Sequence, residues 1–182
     1  GDEILHVESW HGFDLVESFQ RAKIIFDEWG CDVVHVDTVG VGAGLYDMFR
    51  HAMRNGKMGY PTVKVHCSES APEDTDGSCK RLRDWLWWKC RKFFRGYYVK
   101  FAGSEGSPDW KQLQDEIMAP TYKIENGKIK VEDKDEMKKR GLRSPNLADA
   151  LNLTFMGDNE LFKVKYSNSG SNGRFGGRDA WR

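Results

Sequence analysis

The hydrophobic and polar positions of the first half of the chain predict alternating strands and helices. Residues 4–10 alternate with a period of two, as in a strand, and residues 15–29 repeat apolar side chains at helical spacing before Gly30. Valines fill both faces of residues 32–37, which predicts a strand buried on both sides. A helix is predicted over residues 45–55 and a short strand over 62–67.

The second half continues with helices predicted over residues 79–95 and 110–118. In "YKIENGKIKVE", Asn126-Gly127 separates two alternating runs, which is the signature of a type I′ hairpin. "SPNLADALNLTF" predicts a helix with Ser144 as N-cap and Pro145 at its first position. From about residue 167 the composition predicts a disordered tail. The repeated strand–helix order indicates an α/β fold with helices on the faces of a sheet.

Composition excludes little. The formal net charge is +0, with 39% apolar and 31% charged residues. Residues 80–100 are basic, which fits either contact with a polyanion or a solvated helix face. No apolar run approaches the ~18 residues of a membrane span, so no membrane association is expected. The four cysteines form no C-x-x-C pair or common zinc spacing, so we interpret them as reduced thiols of a cytoplasmic protein.

Asp37 is the first candidate for chemistry, because it ends a buried strand just before the glycines of "VVHVDTVGVGAG". Ligands of open α/β sheets bind at this edge, although an acid there can also simply cap a turn. The glycines do not match G-x-G-x-x-G, and the chain has no G-x-x-x-x-G-K-[ST], so a nucleotide site and a stand-alone ATPase are rejected.

Asp149 is the second candidate. Helical spacing places it on one side with Asn146 and Asn152, and this strip is either a solvated face or the wall of a site. Two distant aspartates of this kind can converge on Mg²⁺, which prefers hard oxygen ligands. Two such ions about 3.5–4 Å apart can support phosphodiester cleavage.

Four stretches in this order carry a resemblance: "HVDTVGVGAGLYDMF", "LRDWLWWKCRKFF", "MAPTYKIENGKIKVEDKDEMKKRG" and "RSPNLADALNLTF". Over roughly residues 4–155 the chain resembles the C-terminal nuclease domain of the large terminase subunit of tailed bacteriophages. The resemblance implies a ribonuclease H-like mixed sheet flanked by helices, with an added β-hairpin. The domain would span residues 1–156 and be followed by a flexible tail, 157–182.

The function implied by the resemblance is metal-dependent endonuclease cleavage of concatemeric double-stranded viral DNA, with two Mg²⁺ or Mn²⁺ ions, in the host bacterial cytoplasm. Implied partners are double-stranded DNA, the terminase ATPase domain, the small terminase subunit and the portal protein, which the tail would contact. The family's strand-end acid falls on Asp37 and its late-helix acid on Asp149. Asn146 would be a further metal ligand, and Asp47, Gly40 and Gly42 would support the site.

The resemblance also implies DNA contacts by the hairpin and the basic helix, at Lys128, Lys130, Lys134, Arg91 and Arg95. The alternatives are a solvated hairpin, and a helix that packs its aromatic surface onto the sheet with only a basic outer edge.

Two features depart from the family. Its first metal-binding acid lies on a strand that precedes the one at residues 4–10, so this acid is expected to be missing here. Many relatives have S-P-D where this chain has S-P-N, which removes a charge at Asn146. Two other functions therefore stay open: a catalytically silent fragment that binds DNA or the portal, and another ribonuclease H-like nuclease, such as a resolvase or integrase.

Overall fold

A computed structural model describes residues 3–72, 78–96, 99–101 and 107–158. Strands and helices alternate along this part of the chain, as the hydrophobic pattern predicts. The strands are β1 (Glu3–Ile4), β2 (Val34–Asp37), β3 (Thr62–Val65), β4 (Lys100–Phe101), β5 (Tyr122–Glu125) and β6 (Lys128–Val131). The α-helices are α1 (Leu15–Trp29), α2 (Gly42–Arg54), α3 (Leu82–Gly96), α4 (Pro108–Met118), α5 (Lys134–Lys139) and α6 (Asn146–Leu153), and a 3₁₀ helix (Thr154–Asp158) follows.

The strands pair two by two in the described residues. β1 pairs with β4 and β2 with β3, both in parallel, whereas β5 and β6 form an antiparallel hairpin. Asn126 (φ 52°) and Gly127 (φ 74°) both have positive φ, which confirms the predicted type I′ turn. The mixed α/β class with an added hairpin is confirmed. No helix of the described part is long and apolar enough to cross a membrane.

The hydrophobic core consists of three clusters, and α3 serves two of them. Around Phe49, α1, β2 and α2 pack together. Leu86 of α3 packs with β3 and the 3₁₀ helix, whereas its neighbour Trp87 packs with α4, β6 and α6. Full burial of one such large side chain contributes about 1.5–3 kcal/mol. Helix α6 joins both α3 clusters through Ala148 and Leu153, so its position is set from two sides.

A buried carboxylate fastens α3 to the hairpin. Asp84 is 1% exposed, and its Oδ1 accepts the backbone N–H of Val131 at 3.0 Å. Arg81 donates two further hydrogen bonds of 2.9 Å to the same carboxylate. A hydrogen bond to a charged group contributes about 1.5–3 kcal/mol, which gives the scale of the bond between Asp84 and the hairpin.

Several predicted boundaries are wrong, and each has a local cause. Residues 5–10 do not continue β1, because Ser9 instead bonds the Asp109 carboxylate through its N–H (3.3 Å) and its hydroxyl (2.6 Å). Helix α3 starts at Leu82 because Cys79 forms a β-bridge with Ile129.

Helix α6 also begins one residue later than predicted. Pro145, not Ser144, occupies the N-cap position, and the first helical residue is Asn146. The predicted tail lies largely outside the described residues, so the boundary at residue 156 stays a prediction.

Candidate metal centre

Asp37 is the last residue of β2 and pairs in register with Val65 of β3. Its Oδ1 accepts the N–H of Val39 at 3.0 Å, so the carboxylate also caps the turn. The turn needs its glycines. Gly40 has a φ of +70°, and a Cβ on Gly42 would lie 1.8 Å from the carbonyl oxygen of Asp37. These glycines let the start of α2 approach the strand end, which holds Asp37 at the edge of the sheet.

Asp149 lies in the first turn of α6 with both carboxylate oxygens occupied. Trp87 of α3 donates its indole N–H to Oδ1 at 3.1 Å. Lys134, the first residue of α5, places Nζ 2.9 Å from Oδ2. The backbone N–H of Asp149 donates to the carbonyl oxygen of Pro145 at 2.8 Å. Two elements distant in sequence, α3 and α5, therefore orient this carboxylate.

Asp37 and Asp149 line one cavity of about 330 Å³. Asn146 and Lys134 contribute the other polar groups at the α6 end of this cavity, and His35 of β2 also lines it. The remaining wall is mostly apolar and comes from the segment before α1 and from α1, α2, β2 and α6 (Trp10, Ala22, Phe26, Val34, Val36, Leu45, Phe49, Ala150, Leu153). The structure thus brings together the two aspartates and the asparagine that the sequence singled out.

The pKa of the Cys67 thiol reflects the charges in this region. Burial is the main cause that raises the pKa of its thiol to about 12, and the negative charges of Asp37 and Asp149 raise it further. The positive charges of Arg83 and Lys134 oppose this effect in part. Both aspartates therefore act on one thiol, which is consistent with their convergence. Nothing in the sequence around Cys67 indicates that its thiol lies near these two acids.

The predicted polar strip of α6 is only partly correct. Asn146 is exposed, but Asn152 is 2% exposed and neither of its side-chain polar atoms has a hydrogen-bond partner within the described part of the chain. Ala150 is exposed, whereas Ala148 is fully buried. The reason is that α6 packs between α3 and α4, so its buried face is wider than amphipathic spacing suggests.

The three predicted support residues lie in different places relative to the cavity. Gly40 and Gly42 shape the turn beside Asp37. Asp47 is exposed on α2 and is not among the residues that line the cavity. The supporting role of Asp47 therefore stays a prediction.

The predicted DNA contacts fall into two places. Lys134 lies at the cavity against Asp149, not on the hairpin surface. Lys128 is exposed on β6, and Lys130 lies 3.3 Å from the Glu125 carboxylate across the hairpin.

Arg91 and Arg95 belong to α3. The Arg91 guanidinium stacks 4.6 Å from the ring centre of Trp88 and 5.6 Å from that of Tyr122. This contact ties the helix to β5. Arg95 is exposed in the last turn of α3. The helix therefore does pack its aromatic surface inward, with basic residues at its outer edge.

The donor chemistry of the cavity fits a hard divalent cation. Mg²⁺ is commonly held by one or two carboxylates and completes its shell with water and phosphate oxygens. Asp37 and Asp149 offer two carboxylates, and Asn146 an amide oxygen. In the described ranges no group of three or more His, Cys, Asp and Glu side chains is arranged to hold a metal. The site therefore fits a cation that keeps much of its water.

Comparison with models of known protein families gives no match, and comparison with curated proteins gives none either. Solved structures do match. The nuclease domain of the large terminase subunit gp2 of bacterial virus Sf6 matches with a TM-score of 0.66 and 26% identity, over 84% of this chain and 77% of that chain. This chain has the fold of a phage large-terminase nuclease domain.

Two metal-bound forms of the Sf6 terminase domain extend this comparison. A lysine-to-alanine mutant with manganese matches with a TM-score of 0.70 and 24% identity, over 84% of this chain and 78% of that chain. The same kind of mutant with calcium matches with a TM-score of 0.67 and 24% identity, over 84% and 77%. The resemblance to terminases and the ribonuclease H-like fold inferred from the motifs are confirmed.

Proposed function

We propose that this chain is the metal-dependent nuclease domain of a phage DNA-packaging terminase and cleaves concatemeric double-stranded DNA. One observation carries the proposal: on a terminase nuclease fold, Asp37 and Asp149 line the same cavity at the end of β2. Asp37 and Asp149 are the catalytic residues, since they would touch the cation and the reacting phosphate.

Asp37 and Asp149 would hold Mg²⁺ or Mn²⁺, with the amide oxygen of Asn146 as a weaker ligand. Two bound ions would supply an acidified water and stabilise charge on the attacking and leaving oxygens. The Sf6 domain was solved with manganese and with calcium, which supports a divalent cation. The number of two ions is part of the proposal.

The residues of this chain orient the site in two ways. Trp87 fixes one oxygen of Asp149 by its indole N–H, because a buried donor of this kind holds a carboxylate in one rotamer. Lys134 holds the other oxygen and must leave it before a cation can share it. The Lys134 side chain is 49% exposed, so it has room to turn towards a DNA phosphate.

DNA would be held through its phosphates by Lys128, Lys130, Arg91 and Arg95. Such contacts position the duplex without reading sequence, and they make binding sensitive to salt. The terminase ATPase domain, the small terminase subunit and the portal protein are the proposed partners in packaging.

A second candidate is a catalytically silent fragment that binds DNA or the portal. It is favoured by the finding that no third acidic or His/Cys ligand joins the two aspartates within the described residues. A resolvase or integrase is less favoured, because each solved structure described above is a terminase domain.

Cleavage of supercoiled plasmid with and without Mn²⁺ tests the proposal. We expect metal-dependent nicking that is lost in Asp37→Ala and in Asp149→Ala. Asp32→Ala is the matched control, because Asp32 is an exposed acid that precedes the same strand. Nicking that survives both site substitutions would contradict the proposal. A folded parent chain that binds DNA and never cuts it would favour the silent fragment.

A further inference from the structure

Helix α6 carries Asp149, yet its own sequence provides no cap. Pro145 at the N-cap position makes no side-chain hydrogen bond to the helix. The first backbone N–H groups of any helix lack partners inside that helix, and a buried one without a partner is costly. The N-terminal turn of α6 therefore needs an acceptor from elsewhere.

Glu116 of α4 provides that acceptor. Its Oε2 accepts the backbone N–H of Ala148 at 3.0 Å, and its Oε1 accepts a hydrogen bond from Gln112 at 2.7 Å. Glu116 is 8% exposed and Ala148 is 0% exposed, so water has little access to replace this contact. A carboxylate from a different helix thus caps α6, in place of the Ser, Thr or Asp that usually caps a helix from its own N-cap position.

Ala148 immediately precedes Asp149. A fixed N–H at Ala148 sets the rotation and height of the first turn of α6, and that turn determines where the Cα–Cβ bond of Asp149 points. We infer that Glu116 is a positioning residue for Asp149, acting through the backbone of Ala148 to place the carboxylate for cation binding. This inference rests on the proposed function, since it assumes that Asp149 is a metal ligand.

Two properties of Glu116 are separable by substitution. Glu116→Asp keeps the charge but shortens the side chain by one methylene, which withdraws the carboxylate from Ala148. Glu116→Gln keeps the length and an acceptor oxygen but removes the charge, and the amide of Gln112 can turn over to pair with it. If Glu116 positions Asp149, the length of its side chain matters. If it influences the site only through electrostatics, its charge matters.

The experiment is isothermal titration of Mn²⁺ into the parent chain and both variants, with a melting curve for each. Asp14→Ala is the control. Asp14 caps α1 from that helix's own N-cap position, accepting the N–H of Glu17 at 2.8 Å, and α1 carries neither candidate metal ligand. This control distinguishes the general effect of losing a helix cap from the effect of losing the cap of the helix that carries Asp149.

We expect Glu116→Asp to raise the Kd for Mn²⁺ about 10-fold or more, the lower end of the range for groups that orient metal ligands. Glu116→Gln should bind Mn²⁺ close to the parent value, and Asp14→Ala should lower the melting temperature without changing the Kd. Parent-like binding by Glu116→Asp would overturn the inference. So would equal weakening in both Glu116 variants, or in Asp14→Ala. A parent chain that binds no Mn²⁺ would instead overturn the proposed function.

Discussion

The ammonium of Lys134 lies 2.9 Å from Oδ2 of Asp149, so a candidate metal ligand is already paired with a cation of the protein. Replacing Lys134 by Ala should strengthen Mn²⁺ binding, because it removes both a competitor for the oxygen and a repulsive charge. The expected gain is up to about fivefold, since part-exposed ion pairs are worth roughly 0–1 kcal/mol. Titration of Mn²⁺ measures it.

Lys134→Arg is the control for this comparison, because it keeps the positive charge beside Asp149. It should leave Mn²⁺ binding close to that of the parent chain. Weaker Mn²⁺ binding by Lys134→Ala than by the parent would contradict competition between the lysine and the cation.

Trp87→Phe should impair the site beyond its effect on packing. The substitution keeps an aromatic ring in the core but removes the N–H that holds Oδ1 of Asp149. We expect the concentration of Mn²⁺ needed for half-maximal plasmid nicking to rise about 10-fold, as for other groups that orient metal ligands. Trp85→Phe is the matched control, since Trp85 is equally buried on α3 but packs in a different cluster. Equal shifts in both variants would point to packing alone.

Gly42→Ala should destabilise the turn that follows Asp37. The new Cβ would lie 1.8 Å from a backbone carbonyl oxygen, which cannot move aside as a flexible side chain can. We expect a loss of about 1–3 kcal/mol or more in the free energy of unfolding, as in other overpacked sites. Chemical denaturation measures it. Gly59→Ala has open space around its Cβ and should change stability little, so similar losses in both variants would refute this explanation.

The two hairpin lysines should differ in their contribution to DNA binding. Lys128 is exposed, whereas Lys130 is paired with Glu125 at 3.3 Å and must give up that contact to reach a phosphate. Lys128→Ala should therefore weaken binding of a random-sequence duplex and lower the slope of log K against log salt by about 1. Lys130→Ala should lower it less. Unchanged DNA binding by both variants would indicate that the hairpin is an ordinary solvated surface.

Features that depend on neighbouring residues could be predicted from the sequence. The hairpin turn at Asn126-Gly127 follows from the positive φ that a type I′ turn requires, and the end of α1 at Gly30 follows from the same freedom. Asp37 could be singled out because a buried valine strand ending in an acid and glycines is a local pattern. Residue type and position suggested that Asp37 and Asp149 could converge on Mg²⁺, and the resemblance favoured this arrangement.

Features that depend on distant partners could not be predicted. Nothing around Trp87 indicates that its indole bonds an aspartate of α6, and its spacing suggests only a core residue. Asn152 shares a helix side with Asp149, yet packing against α3 and α4 buries it. The cap of α6 comes from Glu116 on another helix, whereas the local sequence pattern indicates Ser144.

The buried carboxylate of Asp84 connects the hairpin to the helix that orients Asp149. Because Oδ1 of Asp84 accepts the backbone N–H of Val131, bending the hairpin away from α3 would leave a buried carboxylate short of one hydrogen-bond donor. The same helix carries Trp87, which holds Asp149. The hairpin and the Asp149 carboxylate are therefore both held by α3, so a shift of this one helix would displace them together.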